Sequence, residues 1–284
     1  MFKVGLSSCG NPLNEELFRA YAEAGITEME ISPKAEDCDT LDIAPAVQYA
    51  KTYGVHLWSF HLPFHPFTRL NPASLDENVR KFTVDYFVKL IRKNAAFGID
   101  KFVVHASGEP IRPEDRETSM QNAMRSLKEM AEQAAREGVT IAVEDLPRTC
   151  LGNCSDDMKR LLSADSRLRM CFDTNHLLGE DLTEFVKKTG DKIITTHVSD
   201  YDFINERHWL PGEGKIDWQS LIKTLNEVNY QGTWMYEIGF ACPKTIFRDR
   251  DLNCQDFTRN AQELFAGKQP TVFSRPKPNL GMWE

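Results

Sequence analysis

Apolar residues recur along this chain in short runs of strand character, separated by stretches in which they return every three to four positions. The runs cover residues 2–7 (FKVGLS), 26–32 (ITEMEIS), 55–61 (VHLWSFH), 101–105 (KFVVH), 139–144 (VTIAVE), 168–173 (LRMCFD), 192–198 (KIITTHV) and 232–238 (GTWMYEI). Most are rich in β-branched or aromatic side chains, which fit a pleated, buried surface. Several follow a Gly-containing turn, such as Ala24-Gly25, Tyr53-Gly54 and Glu137-Gly138, where glycine suits the cap that ends a helix. Between the runs, the spacing predicts helices over 14–24, 43–53, 75–97 and 117–136, one beginning after an Asp217 N-cap, and one over 251–266.

Strands alternating with helices in this rhythm over about 265 residues predict an α/β fold, a single-domain (β/α)8 TIM barrel. A doubly wound open sheet would normally carry a Gly-rich phosphate loop after its first strand. Here that loop reads Ser7-Ser8-Cys9-Gly10-Asn11-Pro12, with no such motif. The barrel is expected over 1–267. A short extended C-terminal tail is expected over 268–284, with Pro270, Pro276 and Pro278 and no helical or strand period. Trp283 is its expected docking residue, against the barrel or a partner subunit, so a homo-oligomer is among the expectations.

Composition narrows the function. The 34 Lys+Arg against 42 Asp+Glu give a formal charge of −8, which argues against nucleic acid as a partner. No apolar run approaches the ~18–20 residues that span a bilayer, and the N-terminus lacks a signal-peptide layout. A cytoplasmic location without membrane attachment is expected. The seven Cys are scattered and odd in number, which favours reduced thiols over a disulfide framework.

The chemistry gathers at strand ends, which on a barrel project into the catalytic mouth. His61, His105, Glu144-Asp145, Asp173 with His176, and His197 with Asp200 occupy successive ends, Glu206 and His208 follow, and Glu237 closes the last. A lone histidine there would read as a satisfied core residue. Five of the seven His fall in such positions, and isolated carboxylates in apolar runs are costly unless paired or metal-bound. Imidazole with carboxylate and no thiolate is the ligand chemistry of Mn2+, Zn2+, Co2+, Fe2+ or Mg2+.

Ser59-Phe60-His61-Leu62-Pro63-Phe64, Val104-His105, Val143-Glu144-Asp145, Phe172-Asp173-Thr174-Asn175-His176, His197-Val198-Ser199-Asp200, Leu210-Pro211-Gly212-Glu213-Gly214 and Tyr236-Glu237-Ile238 together resemble the xylose isomerase-like TIM-barrel superfamily. The match is to its sugar phosphate isomerase/epimerase members. The resemblance implies one divalent metal ion (Mn2+, Zn2+, Co2+ or Mg2+), with room for a second, bound by Glu144, Asp173, His197 and Glu237. It implies that Glu144 and Glu237 are also the catalytic acid/base pair, moving a proton through an enediolate of a small carbohydrate substrate. His61, His105, His176, Arg207 and His208 are then expected to bind substrate.

The same chain resembles the family 2 apurinic endonucleases, which hold three zinc ions. His61, His105, Glu144, Asp173, His176, His197, His208 and Glu237 match eight of their nine ligand positions, and Glu206 replaces the Asp of the ninth. The negative charge and the Ser8–Leu13 loop, which lacks basic and wedge residues, weigh against a nuclease. Two expectations therefore stand beside isomerase or epimerase: a metal-dependent dehydratase of an inositol-like keto sugar, and a multinuclear phosphodiester hydrolase. Gly212-Glu213-Gly214 is a candidate anion cradle or a plain turn, and the loop 63–72 is a candidate lid.

Overall fold

A computed structural model describes residues 2–282. Eight parallel strands run β1 (Val4–Ser7), β2 (Glu28–Ile31), β3 (His56–His61), β4 (Lys101–His105), β5 (Thr140–Glu144), β6 (Arg169–Asp173), β7 (Ile193–His197) and β8 (Trp234–Tyr236). They pair in the order β7-β6-β5-β4-β3-β2-β1-β8. The ring closes between its end strands through a parallel bridge, Val198 to Tyr236. There the Val198 N–H donates to Met235 O at 2.8 Å and the Glu237 N–H to Val198 O at 3.2 Å.

The helices α1 (Glu15–Ala24), α2 (Ala44–Tyr53), α3 (Glu77–Ala95), α4 (Arg116–Arg136), α5 (Ser155–Leu162), α6 (Leu182–Thr189), α7 (Trp218–Glu227) and α8 (Cys254–Phe265) follow the strands. The expected (β/α)8 barrel is thus the observed architecture. Asp217 caps α7 by accepting from the Ser220 N–H, and Gly25 ends α1 at φ +79, a conformation open to glycine without a Cβ clash.

Apolar side chains on the outer strand faces join the inner helix faces in one large core, while Val103, Ala142 and Cys171 form a small separate cluster. Side chains alternate along a strand, so the residues two positions further on the same face are His105, Glu144 and Asp173. Small residues fill the barrel beneath and chemical groups sit above them.

The extended tail contains a short strand that its sequence did not predict. Ser274–Pro276 (β10) pairs antiparallel with Ile246–Arg248 (β9), between β8 and α8 in sequence. Further on, Gly281 O accepts from Arg207 Nη2 at 2.6 Å and Met282 O from Asn205 Nδ2, which fastens the tail to the loop after β7. Trp283 lies outside the described residues. No described helix is long and apolar enough to cross a membrane.

Candidate metal centre

The ends of β5, β6, β7 and β8 bring Glu144, Asp173, His197 and Glu237 together, with one ligand atom from each within 4.8 Å of the others. His197 Nδ1 lies 2.8 Å from Glu144 Oε1, 3.6 Å from Glu237 Oε2 and 4.0 Å from Asp173 Oδ2. Asp173 Oδ2 is buried with no hydrogen-bond donor. A buried, unpartnered carboxylate oxygen facing three further acceptor-rich groups calls for a cation. Three carboxylates and one imidazole suit a divalent ion of the Mn2+, Zn2+, Co2+ or Mg2+ kind, and the donor set fits it.

One residue of this centre went unseen in the sequence. Glu30 on β2 is fully buried, and its carboxylate lies 3.0 and 3.1 Å from His197 Nε2 while accepting from Ser59 Oγ at 2.8 Å. Nε2–H therefore donates to Glu30, leaving Nδ1 turned to the carboxylates of Glu144, Asp173 and Glu237. The signal was there: ITEMEIS places Glu28 and Glu30 on one face of a strand that a closed barrel buries on both sides.

Other histidines follow the same rule. His61 Nδ1 donates to Leu62 O (2.8 Å) and His176 Nδ1 to Asp145 O (2.7 Å), so each presents Nε2 to the centre. Those Nε2 atoms meet Glu144 Oε2 at 3.1 Å and Glu206 Oε2 at 3.0 Å. His208 Nδ1 lies 3.1 Å from Glu237 O, and His105 Nε2 lies 3.0 Å from Glu144 Oε2. Further sets of donor atoms include His61-His105-Glu144 and His176-Glu206-His208.

Burial would raise Glu144, but the imidazoles of His197 and His105 outweigh it and hold the carboxyl well below its usual range. Burial, with Glu144 and Asp173 nearby, pushes Glu237 up to about 7. Their surroundings thus push the two carboxyls in opposite directions. Burial opposes the charging of His61, but Glu144 outweighs it and pushes the imidazole up to about 9, while burial lowers His105.

A cavity of about 470 Å³ opens on this centre, with Glu144, Glu237, His105, His176 and His208 in its wall. Phe64 stacks on His105 at 4.3 Å between ring centroids, and Phe67 also lines the opening. Arg207 does not reach it. Its side chain is buried, with Nε donating to Asp202 Oδ2 at 2.9 Å and Nη2 to the tail. Along Glu206-Arg207-His208 the side chains alternate, and the outer two take the cavity side. The arginine in the wall is Arg148, whose Nη1 lies 2.6 Å from Glu206 Oε1 and whose Nε lies 3.0 Å from Glu109 Oε2.

The candidate anion cradle already holds an anion of the chain itself. Asp200 accepts from the N–H of Gly212 (2.7 Å), the N–H of Ile216 (3.2 Å) and Trp218 Nε1 (2.9 Å). A Cβ on Gly214 would stand 2.2 Å from Asp200 Oδ1, so glycine permits this approach. Glu213 turns inward and pairs with Arg248 at 2.7 Å, both side chains fully buried.

A family profile described as xylose isomerase-like TIM barrel matches residues 18–248. The chain belongs to this family. Within the xylose isomerase-like barrels, it is 25% identical over 256 residues to the fructoselysine 3-epimerase of Escherichia coli O157:H7, covering 83% of this chain and 90% of that protein. An uncharacterized protein of Methanocaldococcus jannaschii is 32% identical over 178 residues, 59% of this chain, and the match spans only 60% of that protein's length. Among solved structures, a D-tagatose 3-epimerase-like protein superposes with a TM-score of 0.76 at 23% identity, covering 93% and 97% of the two chains. An L-ribulose 3-epimerase superposes at 0.75 with 17% identity, covering 94% of each. These superpositions share the barrel fold.

Proposed function

We propose that this protein is a metal-dependent epimerase or isomerase of a ketose or similar keto sugar, with Glu144 and Glu237 as its acid/base pair. The observation that carries the reading is that these two glutamates, from β5 and the end of β8, belong to one four-residue donor cluster and both line one cavity. Glu144, Asp173, His197 and Glu237 would hold the cation. When bound, it supplies positive charge that polarises a carbonyl and acidifies the neighbouring C–H.

The remaining work falls to the chain itself. One glutamate removes the proton beside the carbonyl, and its partner returns a proton to the other face or the adjacent carbon. Relatives named as 3-epimerases favour exchange at the carbon next to a C2 carbonyl. His105, His176 and His208 offer ring nitrogens to substrate hydroxyls, while Phe64 and Phe67 narrow the mouth and exclude water. The test is solvent-deuterium incorporation into a panel of ketoses by Mn2+-loaded protein. Absence of exchange across the panel would sink the reading.

A second reading, hydrolysis of a phosphodiester at a multinuclear site, draws on the donor sets around His61-His105 and His176-Glu206-His208. Metal content separates them. Three ions per chain together with cleavage of abasic DNA would replace the epimerase reading.

A further inference from the structure

Glu206 and His208 stand in the wall of the metal cavity, yet no helix or strand carries them. They belong to an irregular loop between Asp200 and Trp209, which exchange two backbone hydrogen bonds at 2.7 and 3.0 Å. His208 holds a left-handed backbone at φ +51, which a residue with a Cβ keeps only where its surroundings enforce it. Asn175 supplies one constraint, its Oδ1 accepting from the Arg207 N–H at 2.9 Å. Asp202 supplies another, accepting from the N–H groups of Ile204 at 2.9 Å and Asn205 at 3.2 Å.

A further constraint comes from the C-terminal tail, through the two residues that flank Glu206. Arg207 turns its buried side chain from the cavity, bonding Asp202 Oδ2 and Gly281 O, the latter 74 residues further along the chain. A guanidinium out of water needs its N–H groups matched, so the tail carbonyl helps keep this arginine in place. Asn205 donates through Nδ2 to Met282 O, and its Oδ1 accepts from Nη1 of Arg148 in the cavity wall at 2.7 Å. Glu206, between them, meets Arg148 Nη1 at 2.6 Å and His176 Nε2 at 3.0 Å. The tail is anchored upstream by the β9–β10 pairing and by the Lys277 N–H, which donates to Thr245 O at 3.0 Å.

We infer that residues 277–282 are a positioning element of the candidate active site, setting Glu206 and His208 in the cavity wall through Arg207 and Asn205. Its effect on substrate rests on the epimerase reading, in which His176 and His208 meet substrate hydroxyls. Its ordering of the loop does not. Glu144, Asp173, His197 and Glu237 stand on or next to barrel strands and owe their places to the barrel. Loss of the tail should therefore weaken substrate binding and spare the metal.

The test compares the full chain with a chain ending at Asn279, a chain lacking only residues 283–284, Arg207→Lys, and Arg207→Lys ending at Asn279. Each is loaded with Mn2+ and assayed by solvent-deuterium incorporation into D-fructose, D-psicose and D-tagatose. Ending the chain at Asn279 should raise KM by about tenfold or more on every ketose that reacts, with kcat and Mn2+ affinity little changed. Amide exchange at residues 205–208 should quicken by about tenfold, while β4, β5 and β6 stay protected. Arg207→Lys should reproduce both effects, and the combined variant should add little, because both changes cut one link. Should Arg207→Lys fail to fold, Asn205→Ala takes its place. Unchanged KM or unchanged amide exchange in the shortened chain, full additivity in the combined variant, or the whole effect from removing 283–284 alone would each overturn the inference. If the wild type reacts with no ketose, the epimerase reading falls, and amide exchange alone decides whether the tail orders the wall.

Discussion

His197 Nε2 sits 3.0 Å from Glu30 Oε1, and this contact from β2 decides which nitrogen β7 offers to the metal centre. Replacing Glu30 by Gln keeps the volume but lets the amide bond the ring in either tautomer. Groups that orient a ligand histidine are typically worth 10–100-fold in metal affinity. Glu30→Gln should weaken Mn2+ binding by about that range in calorimetry, with the fold intact by circular dichroism. Unchanged affinity would leave Glu30 as a core residue only.

Glu144→Gln and Glu237→Gln retain an oxygen ligand but lose the basic carboxylate. A general base contributes about 10²–10⁴-fold, so turnover at saturating metal should fall by at least that much. Substrate deuterium exchange should vanish with it. Full turnover in both variants would move proton transfer elsewhere, with His176 as the next base.

Metal affinity should rise with pH. Burial works to keep His197 neutral, but Cys171, Glu237, Glu30 and Glu144 outweigh it and push the metal-free imidazole well above its ordinary value. A protonated Nδ1 cannot ligate, so the metal must displace a proton, and lower pH competes with binding. His197 and, below about pH 7, Glu237 each give up a proton on binding, so the apparent Kd should fall by at least about tenfold per pH unit over roughly pH 6 to 8. A Kd flat across that window would contradict the assignment of Nδ1 as a ligand.

The Glu213–Arg248 pair predicts a stability effect remote from catalysis. Removing one partner of a fully buried pair strands the other charge and typically costs about 3–5 kcal/mol. Glu213→Ala should lower the urea midpoint accordingly, and Glu213→Leu with Arg248→Met should recover most of the loss. A Glu213→Ala variant as stable as the wild type would show that water reaches Arg248.

Strand chemistry and Gly-ended helices made the barrel legible, and the strand ends exposed Glu144, Asp173, His197 and Glu237, because each follows an apolar run whose face is fixed by alternation. Glu30 stayed hidden because its strand reads as half polar, and only ring closure buries that polar face. Arg148 depends on a left-handed bend after β5 that no periodicity announces. Arg207 was drawn to the cavity by its neighbours, yet the loop is irregular, with His208 at φ +51, and the Arg207 side chain turns to Asp202 and the tail. The β10 pairing is three residues long and contains Pro276, too little for a pattern.

The barrel's seam has a consequence of its own. β7 and β8 meet through a single bridge at Val198 and Tyr236, the narrowest joint in the ring, and His197 and Glu237 stand on its two sides. An ion gripping both would act as a rivet across that joint. Chemistry and mechanical closure would then draw on the same atom, and a protein stripped of it would breathe first at the place where it reacts.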